Sequence, residues 1–190
     1  MKNQIVKFLS DPYLMPIAMA VIAATALGMA LISQYFFGLH PCVLCIFQRW
    51  PYGFVIFMGF IAAFYRCYSE ALGGEFVNPK VHDKTSAGFM TVIGLAFLVN
   101  SVIAVYHTGV EQKWWKSFLE GCAVPELKGD MDQILADIQA RGNAARCDEI
   151  PWADPILNLS MANYNVIFCL GLGMIALISA RLIWTKKAAN

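Results

Sequence analysis

Formal charge is scarce in this chain. Lys, Arg, Asp and Glu make up 14% of its 190 residues against 58% hydrophobic ones, and the mean hydropathy is +0.56. The apolar residues come in long runs, which excludes an ordinary soluble domain and marks a membrane protein. A net charge of +1 and a pI near 7.6 leave no basic footprint for nucleic acid, and no helicase, nuclease or RNA-binding motif is present. Cofactor fingerprints are missing too: there is no GxGxxG and no flavin motif. A c-type haem would need His directly after the second cysteine of Cys42-Val43-Leu44-Cys45, where Ile46 stands. A zinc site would need a second ligand pair at short spacing, and the remaining cysteines are too scattered, so no metal is expected.

What the chain does have is four apolar runs. Residues 13–37 carry no formal charge, and as a helix they would span roughly 37 Å, enough for a hydrocarbon core of about 30 Å with some tilt. Ala24-Thr25-Ala26 imitates a signal-peptidase site, but the run is too long for a signal sequence and further spans follow, so an uncleaved first helix is expected. The other spans are predicted over 46–65, 88–106 and 164–184. Pro51 should kink the second unless helical geometry begins only near Trp50. Asn100 and Ser101 in the third are explained by hydrogen bonds between helices.

Four spans put both termini on one side, with loops over about 38–45 and 107–162 on the other. Lys2, Lys7, Arg66, Lys80, Lys84, Arg181, Lys186 and Lys187 share the terminal side, whereas the short opposite loop is flanked by Arg49 alone. The positive-inside rule then predicts cytoplasmic termini. Cys42, Cys45, Cys122 and Cys147 fall outside, where disulfides persist. Cys67 and Cys169 read as ordinary apolar cysteines. Within the long loop, Lys113-Trp114-Trp115-Lys116 suits the headgroup level, and residues 130–141 carry the periodicity of an amphipathic helix. The loop borders no predicted soluble core, so it should be exposed and mobile.

Thiols three residues apart close a small ring suited to reversible redox chemistry, and a helix N-terminus there favours the thiolate. Cys122 and Cys147, with 24 residues between them, form a second disulfide-capable pair. Two pairs on one membrane face suggest a relay. Its electrons need an acceptor, and without a bound-cofactor motif that acceptor should dissolve in the bilayer. Arg49 lies four residues after Cys45, on the same helix face, at a depth where a guanidinium must snorkel or meet a partner. His107 closes the third span at the same membrane face. A quinone fits such a site, being an apolar ring system with two carbonyl oxygens that need donors.

The segment Pro41-Cys42-Val43-Leu44-Cys45 with Gln48-Arg49, the four spans and the Cys122/Cys147 loop resemble the disulfide bond formation protein B (DsbB) family over nearly the whole chain. The resemblance implies an all-α membrane protein: a four-helix transmembrane bundle with a long periplasmic loop between helices 3 and 4, one domain over 1–190. It implies ubiquinone or menaquinone as cofactor, a DsbA-like periplasmic thiol oxidase as partner and a bacterial inner-membrane location. Cys122 would form the mixed disulfide with that oxidase and Cys147 would be its intramolecular partner. Cys42 and Cys45 would carry the electrons onward, with Cys45 as the thiolate beside the quinone. Arg49 would hydrogen-bond a quinone oxygen, and His107 is similar to a family histidine beside the ring. The long connection from Arg66 to Ala87 and the Trp50-Pro51 start depart from the family pattern. A vitamin K epoxide reductase-like enzyme and a disulfide-stapled, non-enzymatic scaffold are the competing readings.

Overall fold

Long apolar runs with few breakers can satisfy their backbone in lipid only as helices, and helices are what they form. The computed structural model describes residues 2–71, 79–119, 122, 130, 132 and 145–185. Its helices are α1 (Lys2–Leu9), α2 (Leu14–Tyr35), α3 (Val43–Phe47), α4 (Arg49–Ala71), α5 (Pro79–Glu111) and α6 (Met161–Thr185). No strand occurs among the described residues, only an isolated bridge between Ala153 and Ser160. Four segments are long and apolar enough to cross a membrane: Leu14–Tyr35, Val43–Ser69, Asp83–Glu111 and Met161–Thr185. The protein is a four-helix membrane bundle.

Local chemistry sets the starts and stops. The Asp11 carboxylate accepts the N–H groups of Tyr13 and Leu14, each at 2.9 Å, at the entry to α2, and Pro16 falls in the first turn, where its missing N–H is harmless. Gly38, at φ +67, turns the chain beyond α2 in a conformation that a side chain would strain. The second span is not one kinked helix. It is a single turn, α3, followed by a fresh start at Arg49, so Pro51 sits in the first turn of α4. The third helix is longer than the predicted 88–106, and helix also occupies both ends of the expected 66–87 connection. Apolar patterning marks the part of a helix that lies in lipid, whereas the helix itself can continue into water. The amphipathic helix predicted for 130–141 lies outside the described residues, apart from Asp130 and Asp132.

Met15, Met19, Val55, Met90, Ile93, Phe97 and Ile183 pack at the bundle centre. Large apolar side chains such as Phe60, Phe64, Val102 and Ile167 point outward, as lipid allows. The most extensive packing is α5 on α6 and α2 on α4, with α4 also against α5. Glycines make the close approaches. A Cβ on Gly94 would lie 3.2 Å from the Gly173 carbonyl, and one on Gly173 would lie 3.2 Å from the Gly94 carbonyl. A Cβ on Gly59 would meet the Pro16 carbonyl at 2.9 Å. Asn100 and Ser101 do bond across to α6, to the Cys169 sulfur at 3.4 Å and the Val166 carbonyl at 3.1 Å.

Candidate redox site

Cys42 is the N-cap of α3. Its backbone is extended, and its sulfur takes the Cys45 N–H at 3.2 Å, so the Cys-x-x-Cys spacing is the capping geometry itself. The same turn brings the two sulfurs to 2.7 Å of each other, with both cysteines as free thiols. Hydrogen bonding with Cys45, then burial, raises the Cys42 thiol above the usual cysteine range. Because α3 has only five residues, the donors near the sulfurs are local N–H groups rather than the macrodipole of a long helix.

His107 arrives from the last turns of α5. Its Nε2 is 3.4 Å from the Cys42 sulfur and 3.6 Å from Glu111 Oε1, and its Nδ1 is 2.9 Å from Gln48 Nε2. Glu111, itself buried, accepts a 2.5 Å bond from the Ser160 hydroxyl. Gln48 Oε1 accepts from Asn165 Nδ2 at 2.6 Å, and Asn165 Oδ1 accepts from the Tyr52 hydroxyl at 2.5 Å and the Cys169 thiol at 3.2 Å. Cys169 is therefore one member of a buried polar cluster, not the plain apolar cysteine its sequence neighbours suggest. The Asn100 Oδ1 atom, buried beside it, has no hydrogen-bond partner, a state that costs roughly 1–3 kcal/mol.

A cavity of about 500 Å³, mostly apolar in lining, opens at this cluster. Cys45, Arg49, Tyr52 and His107 line its polar side, and α2 contributes Ala26 and Ala30 to the apolar side. Arg49 is partly buried and gives Nη1–H to Gln34 Oε1 at 2.7 Å, so its charge meets a neutral amide on α2 as well as the cavity. The donor atoms of Cys42, Cys45 and His107 all lie within 4.8 Å of one another, a spacing that a metal could bridge. Gln48 donates to Nδ1, however, so in this arrangement Nε2 carries the hydrogen and has no lone pair to offer the sulfur side.

Cys122 and Cys147 are joined as a disulfide. Both are fully buried, packed with Cys42, Leu44 and Val110 in one cluster whose edge includes Cys45, Leu119 and Ala145. This corrects the expectation of exposed cysteines with no core to border: Cys122 and Cys147, with Leu119 and Ala145, pack against the one-turn helix and the end of α5. Nearby, Trp115 stacks on Tyr106 at 6.0 Å and donates to its carbonyl at 3.2 Å, and a Cβ on Gly109 would collide with its indole. Both tryptophans expected at the headgroups are exposed, and Trp115 also folds back on α5. At the surface, Arg146 grips Asp148 through two bonds, at 3.0 and 2.7 Å, and holds that carboxyl below the usual range.

All six residues singled out from sequence thus converge: Cys42, Cys45, Arg49 and His107 on the cavity, and Cys122 with Cys147 in the cluster behind them. Gln48, Tyr52, Asn165 and Glu111 were not singled out. A signal existed, since Gln48 and Tyr52, His107 and Glu111, and Asn165 and Cys169 are each four apart, stacking polar groups on one helix face within apolar runs.

The family model described as Disulfide bond formation protein DsbB matches residues 13–179. The chain belongs to the DsbB family. A disulfide bond formation protein B of Azoarcus sp. (strain BH72) is 24% identical over 181 residues, covering 90% of this chain and 93% of the relative. Another, from Xanthomonas oryzae pv. oryzae (strain MAFF 311018), is 28% identical over 163 residues, 81% of each chain. No solved structure matches the chain. As a DsbB-family protein it is a multi-pass membrane protein with an oxidoreductase role in disulfide bond formation.

Proposed function

We propose that this DsbB-family protein is a protein-dithiol:quinone oxidoreductase that reoxidises a DsbA-like periplasmic thiol oxidase. The observation that carries the reading is the placement of the Cys42 and Cys45 sulfurs, 2.7 Å apart, on the wall of a largely apolar cavity that also receives Arg49 and His107. The cavity suits a ring with two carbonyl oxygens: its volume is that of a small-molecule site, and its few polar groups include the donors Arg49 and His107. Ubiquinone or menaquinone, when bound, supplies a sink for the two electrons and two protons that leave the Cys42/Cys45 dithiol as its disulfide forms.

The other steps belong to the chain's own residues. The partner's thiolate attacks Cys122, Cys147 leaves as a thiolate, and a second partner thiol closes the partner's disulfide and releases Cys122. The reduced Cys122/Cys147 pair is then reoxidised by the Cys42–Cys45 disulfide, with which it shares a packed cluster. Arg49 orients the quinone by hydrogen bonding, and His107 lies beside the Cys42 sulfur to hold or move a proton. The charge asymmetry of the loops favours an inner-membrane orientation with cytoplasmic termini and periplasmic redox cysteines.

The test is quinone reduction by purified protein, followed by the loss of quinone absorbance, with a reduced thioredoxin-like dithiol protein as donor. Catalytic turnover is the expected result. No turnover with either ubiquinone or menaquinone analogues, on folded protein, rejects the reading.

A further inference from the structure

The polar cluster behind the cavity has a direction. Tyr52 O–H and Cys169 S–H both point at Asn165 Oδ1, so the Asn165 amide must present its N–H to Gln48. Gln48 Oε1 is thereby occupied, and its amide can offer His107 only an N–H, leaving Nδ1 as the acceptor. The imidazole hydrogen then resides on Nε2, which faces the Cys42 sulfur at 3.4 Å, nearer than the Glu111 carboxyl oxygen at 3.6 Å. Cys42 in turn lies 2.7 Å from Cys45, the thiol that borders the cavity. Upstream, Asn100 Nδ2 donates to Cys169 at 3.4 Å, and its unpartnered Oδ1 marks the origin of the sequence of bonds.

We infer that Asn165 and Gln48 are positioning residues that fix the Nε2–H tautomer of His107, so that a one-way chain of donors from Asn165 through Gln48 and His107 to Cys42 ends on the Cys45 sulfur and favours negative charge there. A histidine's free nitrogen takes its protonation state from the bond its other nitrogen makes, and here that bond is dictated two residues away. Every link is buried or half-buried, where an oriented donor is worth more than in water and cannot be replaced by solvent. The inference deepens the redox reading and rests on it for the role of Cys45, but the tautomer itself is independent of any quinone.

The experiment uses the full-length protein, 15N-labelled at histidine, in lipid nanodiscs, with His107 assigned by its loss in His107→Ala. Long-range 1H–15N spectra of the wild type should report Nε2–H. Asn165→Asp offers Gln48 only acceptor oxygens, turns the Gln48 carbonyl toward His107 and should move the hydrogen to Nδ1. Gln48→Leu removes the donor to Nδ1 and serves if the aspartate variant does not fold. With Cys42 and Cys45 reduced, alkylation of Cys45 at neutral pH should slow about tenfold in either variant, the loss expected for one unit of thiolate stabilisation. A wild-type His107 carrying its hydrogen on Nδ1, an unchanged tautomer in both variants, or an unchanged Cys45 rate overturns the inference. Quinone turnover of the wild type, measured in parallel, reads the enzymatic assignment separately: failed turnover with the expected tautomer rejects that assignment and leaves the chain of donors standing.

Discussion

The two cysteine pairs are both shielded from solvent, yet they are held by opposite means. Cys42 and Cys45 sit on one helical turn, so backbone geometry alone keeps their sulfurs together, and polar groups surround them: an N–H at 3.2 Å, an imidazole at 3.4 Å and a cavity on the far side. Cys122 and Cys147 are 25 positions apart, joined covalently, and wrapped in apolar contacts with Leu44, Val110, Leu119 and Ala145. The first pair is held close by its own turn of chain. The second cannot be reached by another protein unless its cover shifts. Burial is thus reached by two routes: local pairing in polar surroundings for one pair, long-range pairing in apolar surroundings for the other.

The sharpest way to break the comparison is to remove one sulfur from each pair. Cys45→Ser should abolish quinone reduction while leaving the Cys122–Cys147 disulfide intact, as read by quinone absorbance and by thiol alkylation on a gel. Cys147→Ala should instead accumulate a mixed disulfide between Cys122 and the thioredoxin-like donor, because the sulfur that normally returns to Cys122 is gone. If Cys147→Ala turns over normally, the loop pair is a staple and not a relay.

Arg49 comes next. A hydrogen bond from a guanidinium contributes about 1.5–3 kcal/mol, so Arg49→Ala should raise the quinone KM roughly 10- to 150-fold, with Arg49→Lys between. Gln34→Leu removes the amide that steadies Arg49 but keeps the guanidinium, and should raise KM less than Arg49→Ala does. Equal KM values across all three variants would place Arg49 outside the site.

A framework substitution should touch both pairs alike. A valine at Gly173 would drive side-chain carbon into Leu98 and the Gly94 carbonyl, costing about 1–3 kcal/mol of stability by overpacking. Thermal unfolding of Gly173→Val in detergent should fall accordingly, with the relative reactivity of the two pairs unchanged.

The smallest effect is expected beside Cys147. Arg146 holds the Asp148 carboxyl below its ordinary range, so the pair's contribution is fully present above about pH 4 and fades as pH falls through the lowered value. Reduction of the Cys122–Cys147 disulfide by a phosphine, whose attack needs no thiolate, should therefore quicken slightly in acid. Asp148→Asn should remove that step, and a step that persists in the variant would exclude Asp148 as its cause.

Much of this was legible in the residues. Four uncharged or nearly uncharged runs dictate four helices, and Cys45 and Arg49 do both reach the cavity, although the restart puts them on two helices rather than on one helix face. Pro51 announced an irregularity in the second span, but only the fold decides between a kink and a restart. The burial of Cys122 and Cys147 was not legible, because it depends on contacts with Leu44 and Val110, far away in sequence, and no periodicity encodes such packing. The polar chain was half-legible. Its members recur four apart on their own helices, yet that Asn165 should meet Gln48, 117 positions away, follows only once α6 lies against α5 and α5 against α4.

The restart at Gln48 has a mechanical consequence. In an unbroken helix four backbone bonds would span the junction between α3 and α4, and proline at position 51 has no hydrogen with which to make one of them. The sulfur-bearing turn is thus tied to the membrane anchor by fewer backbone bonds than a continuous helix would provide, while His107 and Gln48 grip it from the side. Displacing that turn by a fraction of an ångström leaves the hydrogen-bond ladder of α4 whole. The restart is a joint with fewer backbone ties than a continuous helix, placed directly beside the two sulfurs.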